Sequence, residues 1–194
     1  MARRSDHSRD ELAAMVVGGA RAIAQKKGWR GVSMRGIAAR IGYAPGSIYN
    51  AVGDIDDVLL RVNADTLTRL LTALEEAAAH AQPGVDGALA IANAYVTFVM
   101  AHPKLWAALI ERSPPVPAPD WYAEPRARLV EVVAHVIAPT FPDAAERRRA
   151  VLALWASLQG AASLAVGGNL AFAGGDPHEI ARAIVRRYLS GRED

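Results

Sequence analysis

Residues 31–52, GVSMRGIAARIGYAPGSIYNAV, decide how this chain is to be read. They divide into two short helices and a tight turn. Ser33 is placed to cap the first helix, because its hydroxyl can accept from the amides that a helix start leaves without intrahelical partners. Ile37, Ala38 and Ile41 recur at helical spacing and give that helix one apolar face. Gly42 stands where a left-handed C-cap residue belongs, and Pro45 suits the first turn of a second helix, where a missing N–H costs nothing. Ser47, Tyr49 and Asn50 leave the second helix polar on one side. A short helix, a glycine turn and a second helix with a polar, aromatic outer face is the helix-turn-helix plan for reading the major groove of DNA. Ile37, Ile41 and Ile48 are assigned to the core beneath it, and Trp29 to packing at the end of the preceding helix.

Outward from this pair the chain stays helical. Upstream, Ser8 and Glu11 form an S-x-x-E capping box, and an apolar stripe from Leu12 through Val16 and Ala20 to Ala24 ends at Gly28. Downstream, acidic residues open a fourth helix at Asp54, where they face the positive end of the helix dipole. That helix is predicted over 54–80 and is broken by Gln82-Pro83-Gly84. Further helices are predicted over 86–101, 103–111, 120–137, 143–166 and 177–190, with a stiff proline-rich linker at 113–119. No alternating strand pattern and no internal repeat interrupts them. The expected fold class is therefore all-α, with about nine helices: a three-helix helix-turn-helix domain over 1–53, then a larger helical domain over 54–194 for ligand binding and dimerisation.

Composition narrows the function further. The 194 residues are 52% hydrophobic, enough for a sizeable core and too apolar for disorder. The chain has no cysteine, which excludes disulfides, thiolate zinc sites and cysteine nucleophiles together. Residues 1–53 hold nine Lys/Arg against three acids, whereas 54–194 hold thirteen basic and seventeen acidic residues. A basic N-terminal module beside an acidic remainder fits a partner that is a polyanion. Met1 is followed by polar residues, and no apolar run is expected to reach the ~18–20 residues of a membrane span. A soluble, cytoplasmic protein with no membrane partner is the expectation.

The runs Ile37-Ala38, Ile41-Gly42-Tyr43 and Gly46-Ser47-Ile48-Tyr49 resemble the DNA-binding segment of the tetracycline-repressor (TetR) family of bacterial regulators. The likeness extends back through Gly28-Trp29-Arg30-Gly31-Val32-Ser33 and forward to Leu59. It implies a homodimeric repressor that is released from a palindromic double-stranded operator by a small-molecule effector, with no cofactor and no metal. Two departures stand out. Many members carry a lysine at the start of the fourth helix, where this chain has Ile55 inside an acidic Asp54-Ile55-Asp56-Asp57 run. The later Trp155-Ala156-Ser157-Leu158-Gln159-Gly160 is similar to a subgroup with a Trp…His-Gly signature, but Gln159 replaces its histidine, so no ligand role carries over from that residue.

Candidate sites follow from both lines. For DNA they are Arg3, Arg4 and Arg35 on phosphate or minor groove, and Ser33 near a phosphate by resemblance. Ala44, Pro45, Gly46 and Ser47 open the recognition helix, and Tyr43, Tyr49 and Asn50 complete its face. Tyr43 has a second use, partial burial against the first helix of the pair. For an effector the aromatic and polar candidates are Phe98, His102, Trp106, Leu109, Trp121, Tyr122, Trp155 and Gln159, with packing in the core as the alternative for each. The family's dimer bundle implies an interface on 143–166 and 177–190 through Leu154, Leu158, Ala161, Ala165, Ile184 and Tyr188; the alternative for these is packing within the chain. An enzyme is not expected. His7, His80, His102, His135 and His178 are scattered, and no HExxH, P-loop or GxSxG is present. The remaining alternatives are a DNA binder without an effector and an all-helical enzyme.

Overall fold

The computed structural model describes residues 7–112, 114–115 and 117–190. Their helices are α1 (Arg9–Lys27), α2 (Met34–Ile41), α3 (Pro45–Val52), α4 (Ile55–Ala79), α5 (Val85–Ala101), α6 (Pro103–Glu111), α7 (Asp120–Ile137), α8 (Ala144–Val166), α9 (Asn169–Phe172) and α10 (Pro177–Ser190), with a 3-10 turn over Trp29–Gly31. No strand occurs among the described residues. The all-α expectation holds. The one addition to the expected helices is α9, a single turn inside the glycine-bracketed connector.

Local chemistry accounts for the ends. Ser8 accepts from the Glu11 amide while the Glu11 carboxylate accepts from the Ser8 amide at 2.7 Å, a complete capping box. Asp143 and Asp176 cap α8 and α10 by accepting from the amides of Glu146 and Glu179. Gly42 closes α2 in the left-handed region at φ 77°, ψ 25°, which a residue without Cβ adopts at no steric cost. Gly53 is held twice over. Its φ is 86°, and a Cβ there would run into the Asp57 carboxylate.

The chain packs as two compact units. The first takes the residues up to Thr66 together with Lys104–Tyr122, and the second takes Leu67–Pro103 together with the residues from Ala123 onward. In the first, Val16 of α1, Ile37 of α2, Ile48 of α3 and Val58 of α4 are all fully buried in one cluster that also includes Leu105 of α6. Each such side chain contributes about 1.5–3 kcal/mol on leaving water. Packing around the helix pair therefore continues past Val52, the end of α3, into the first half of α4. In the second unit α5, α8 and α10 pack on one another. Val96 and Val99 of α5, Val151 and Leu154 of α8, and Val185 of α10 are buried there.

One sequence expectation needs correction. At 23 residues, α8 is long and apolar enough to cross a membrane by length and composition. Its alanines and leucines raise its hydropathy, and one side of the helix is buried against α5 and α10. A core helix of a soluble protein passes the same test.

Candidate nucleic-acid interface

The candidate interface is built from the start of α2, the turn after it and the outer face of α3. Ser33 caps α2, its hydroxyl accepting from the Gly36 amide at 3.1 Å. Arg35 is exposed in the first turn of the helix. At the turn, the Gly42 and Tyr43 amides both donate to the Ala38 carbonyl, at 2.9 and 3.1 Å. Ala44 then occupies the N-cap of α3 without a side-chain hydrogen bond, and Pro45 sits at N1. Beneath, Ile48 and Ile37 are fully buried, while Tyr49 is 52% exposed and Asn50 is exposed beside it. Burying one side of α3 is what aims the other side outward. Trp29, Ile41 and Tyr43 pack partly buried against the same cluster.

The electrostatics distinguish these two helices from their neighbours. The first turns of α1 and α4 carry acids, Asp10 and Glu11 on one and Asp56 and Asp57 on the other. The first turns of α2 and α3 carry none. An uncompensated helix N-terminus favours an anion such as a phosphate, whereas a carboxylate already in place repels one.

The acidic run at the start of α4 has a structural use. The Asp54 carboxylate accepts from the amides of Asp56 and Asp57, at 2.8 and 3.0 Å, and Asp57 accepts in return from the Asp54 amide. Asp56 pairs with Arg112 at 2.5 Å. Ile55, at the position where many chains of the resembled family carry a lysine, packs partly buried on the core cluster. Arg112 also lies over one ring of importance, Trp29, 5.0 Å from its centroid, with Arg30 4.5 Å away. Glu111 accepts from Trp29 Nε1 at 2.9 Å and pairs with Arg30 at 3.0 Å. The end of α6 is thereby tied to the end of α1 and the start of α4. Sequence reasoning placed Trp29 in packing but had no signal for these partners 82 residues away.

Other candidates are placed as follows. Arg3 and Arg4 lie outside the described residues. Of the effector candidates, Phe98, Trp106 and Tyr122 are buried, at 8%, 4% and 2% exposure. His102 ends α5 with its ring edge-on to Phe98, and Leu109 is half-buried. Gln159 accepts from the Tyr95 hydroxyl at 3.1 Å and donates to Ser163 at 3.2 Å. Burial raises the Tyr95 hydroxyl far above the usual tyrosine range, so it stays a neutral donor. Trp121 is partly exposed, with the Arg61 guanidinium 5.0 Å over its ring, and Trp155 is 51% exposed. Trp106, Leu109, Trp121 and Tyr122 belong to the first packing unit; Phe98, His102, Trp155 and Gln159 belong to the second. An open groove of about 490 Å³ in the first unit lies elsewhere, along α1 and α4, walled by Asp10, Arg21, Arg61 and Asp65 over Ala13, Ala14 and Val17. Its Arg21–Asp65 pair is closed at 2.8 Å.

Of the dimer candidates, Leu154, Leu158 and Ala161 are buried within the chain itself. Ala165 and Ile184 are half-buried, and Tyr188 is 38% exposed with its ring 6.0 Å from Phe141. The exposed face of α8 is the neighbouring one: Leu152, Ala156, Gly160 and Leu164, with Trp155 at its edge. Their spacing of four residues was legible in the sequence, but the buried stripe has the same helical period, and only packing tells the two faces apart.

An all-helical chain whose second short helix projects a tyrosine and an asparagine over a buried isoleucine, behind an acid-free N-terminus, is a helix-turn-helix DNA-binding protein. Residues 16–62 match the family described as bacterial regulatory proteins, tetR family, and residues 88–188 match the Tetracyclin repressor-like C-terminal domain. The chain belongs to the tetR family of transcriptional regulators. Among its relatives is an HTH-type transcriptional regulator of Mycobacterium tuberculosis, itself uncharacterized, 25% identical over 145 residues. That match takes in 75% of this chain and 66% of the relative, a little under two thirds of its length. Solved structures from several bacteria share the fold. A Rhodococcus protein of unknown function superposes with TM-score 0.80 at 23% identity, covering 98% of each chain. A structure described as a TetR-family regulator from Mesorhizobium loti gives 0.69 at 18%, covering 95% and 98%. FadR of Bacillus subtilis, solved in complex with stearoyl-CoA, gives 0.71 at 12%, covering 92% and 98%.

Proposed function

We propose that the protein acts as a homodimeric repressor on a palindromic operator and is released from it by a small, largely apolar effector. The observation that carries the DNA half is the pair of acid-free N-termini on α2 and α3 beside the exposed Tyr49 and Asn50. Arg35, Tyr49, Asn50 and the cap of Ser33 hold phosphates, Ala44 through Ser47 approach the base edges, and Tyr43, in the turn before them, reaches a thymine methyl or the backbone. Arg3 and Arg4 add phosphate or minor-groove contacts. One helix-turn-helix offers too little surface alone, so two subunits would read half-sites about 34–36 Å apart or somewhat more. The dimer uses the exposed face of α8 with Ile184 and Tyr188 of α10. For release, the ties of Glu111 and Arg112 to Trp29, Arg30 and Asp56 support a route from α6 to the reading helices. An effector acts only through a difference in affinity between two conformations. FadR, of the same fold, was solved with an acyl-CoA, and the aromatic candidates here suit a ligand of similar apolar character.

The effector-free alternative draws support from the burial of Phe98, Trp106 and Tyr122 in the chain's own packing. Two measurements separate the readings. A gel-shift with the protein's own upstream region should show a retarded dimer complex whose affinity falls with salt at a log–log slope of about −0.9 per phosphate neutralised; unchanged mobility across all fragments defeats the operator reading. Native mass spectrometry of freshly purified protein should show added mass on the dimer. A bare dimer that no acyl-CoA or fatty acid displaces from DNA leaves the effector-free regulator as the function.

A further inference from the structure

His7 lies one residue before the Ser8 cap of α1, exposed, with its Nδ1 2.5 Å from the Tyr43 hydroxyl in the turn between α2 and α3. The rings are tilted at 55° with centroids 6.0 Å apart, so the contact is a hydrogen bond and not a stack. Tyr43 has little freedom otherwise. Its ring packs against the core cluster, and its amide is bonded to Ala38. What can still change is the direction of its hydroxyl proton.

That direction matters at a DNA surface because a phosphate only accepts hydrogen bonds. When the imidazole is neutral with Nδ1 unprotonated, the Tyr43 O–H donates to His7 and its proton is used up. When the imidazole is protonated, Nδ1–H donates to a lone pair of the tyrosine oxygen, and the O–H is released to donate elsewhere. The atoms balance: one proton is taken up from water, and the tyrosine proton stays on its oxygen but changes partner. We propose that His7 is a positioning residue of the DNA interface, which turns the Tyr43 hydroxyl toward a backbone phosphate when it is protonated. This rests on the DNA-binding reading above and deepens it by coupling affinity to pH. Among the described residues, the charged or titratable groups that face His7 include Glu11 from α1 and Tyr43 from the turn. The amide and hydroxyl of Ser8 hold the Glu11 carboxyl below its usual range, so it keeps its charge throughout near-neutral pH. Among side chains, histidine is the one whose charge changes between pH 5 and 8.

A complex that favours the protonated form takes up a proton on binding, so affinity rises as pH falls. Fluorescence anisotropy with a labelled duplex from the upstream region, at about pH 6 and pH 8 and constant ionic strength, reads this out. The wild type should bind about five-fold more tightly at the lower pH, the gain of a charge-assisted contact. His7→Gln should lose that difference, and Tyr43→Phe should keep no more than about two-fold of it, from the imidazolium charge alone. A full pH difference in either variant overturns the proposal, and thermal melts of both check that folding is unchanged. A second measurement needs no DNA. Long-range ¹H–¹⁵N NMR of free wild-type protein near pH 8 should find His7 as the Nε2–H tautomer, and an Nδ1–H tautomer overturns the proposal outright. The expected tautomer together with no binding to any duplex at either pH brings down the DNA reading, and the phosphate step with it.

Discussion

On α3 the exposed side chains are Tyr49 and Asn50, above a fully buried Ile48; on α8 they are Leu152, Trp155 and Leu164, beside a buried Leu154 and Leu158. Both helices bury one apolar face by the same physics. They differ in what remains outside. The α3 face keeps hydrogen-bonding groups and a bare helix N-terminus, which suit a charged partner that stays hydrated. The α8 face keeps half-exposed leucines and a tryptophan around Ala156 and Gly160, which suit an apolar partner at close range. Phe172 on α9, 95% exposed, adds to the apolar character of that unit. The residues left outside a finished core are therefore more informative about partners than the core itself.

The comparison breaks most severely if the α8 face is charged. Leu152→Glu with Leu164→Glu alters only half-exposed positions, so each subunit should stay folded while the dimer separates. DNA affinity should drop about 100-fold or more, since unpaired charges are costly in an apolar interface. Light scattering and anisotropy on the same sample check this, and a tight-binding dimer would remove α8 from the interface. Next in size is the contrast between adjacent residues of α3. Ile48→Ala should cost about 2–5 kcal/mol of stability through the cavity it leaves. Tyr49→Phe should leave the melting temperature nearly unchanged and weaken DNA binding about five-fold through one lost hydrogen bond. Equal loss of stability in both would mean that Tyr49 is structural. The smallest effect is expected at Ile55. Ile55→Lys should tighten DNA binding about two- to three-fold by adding one phosphate contact, at a cost of about 1 kcal/mol in packing against the core. A salt slope unchanged from wild type would show that position 55 does not reach the backbone.

Much of the reading interface was legible because its determinants are local. A cap, a left-handed glycine, a proline at N1 and three isoleucines at helical spacing act within a few residues of one another, so their consequences can be worked out without knowing the fold. The ends of α1, α4, α5, α6, α8 and α10 were legible for the same reason. The effector and dimer candidates depend on which of several apolar faces turns inward. Leu154 and Leu152 are indistinguishable by composition, and only the packing of α5 and α10 against α8 buries the first and exposes the second. Long-range polar pairs were equally out of reach. His7 with Tyr43, Asp56 with Arg112 and Trp29 with Glu111 join residues 36, 56 and 82 positions apart.

By itself, then, the sequence determined the all-helical class, the capped helix pair with its glycine turn, and the basic N-terminal segment that goes with a polyanionic partner. These rest on backbone preferences and charge counts, which operate over short stretches or over none. The tertiary structure alone decided which face of α8 is free, that Ile55 serves the core in place of a phosphate contact, and that His7 meets the Tyr43 hydroxyl. Each of those is a contact between distant segments, and such contacts exist only once burial of the cores has brought the segments together.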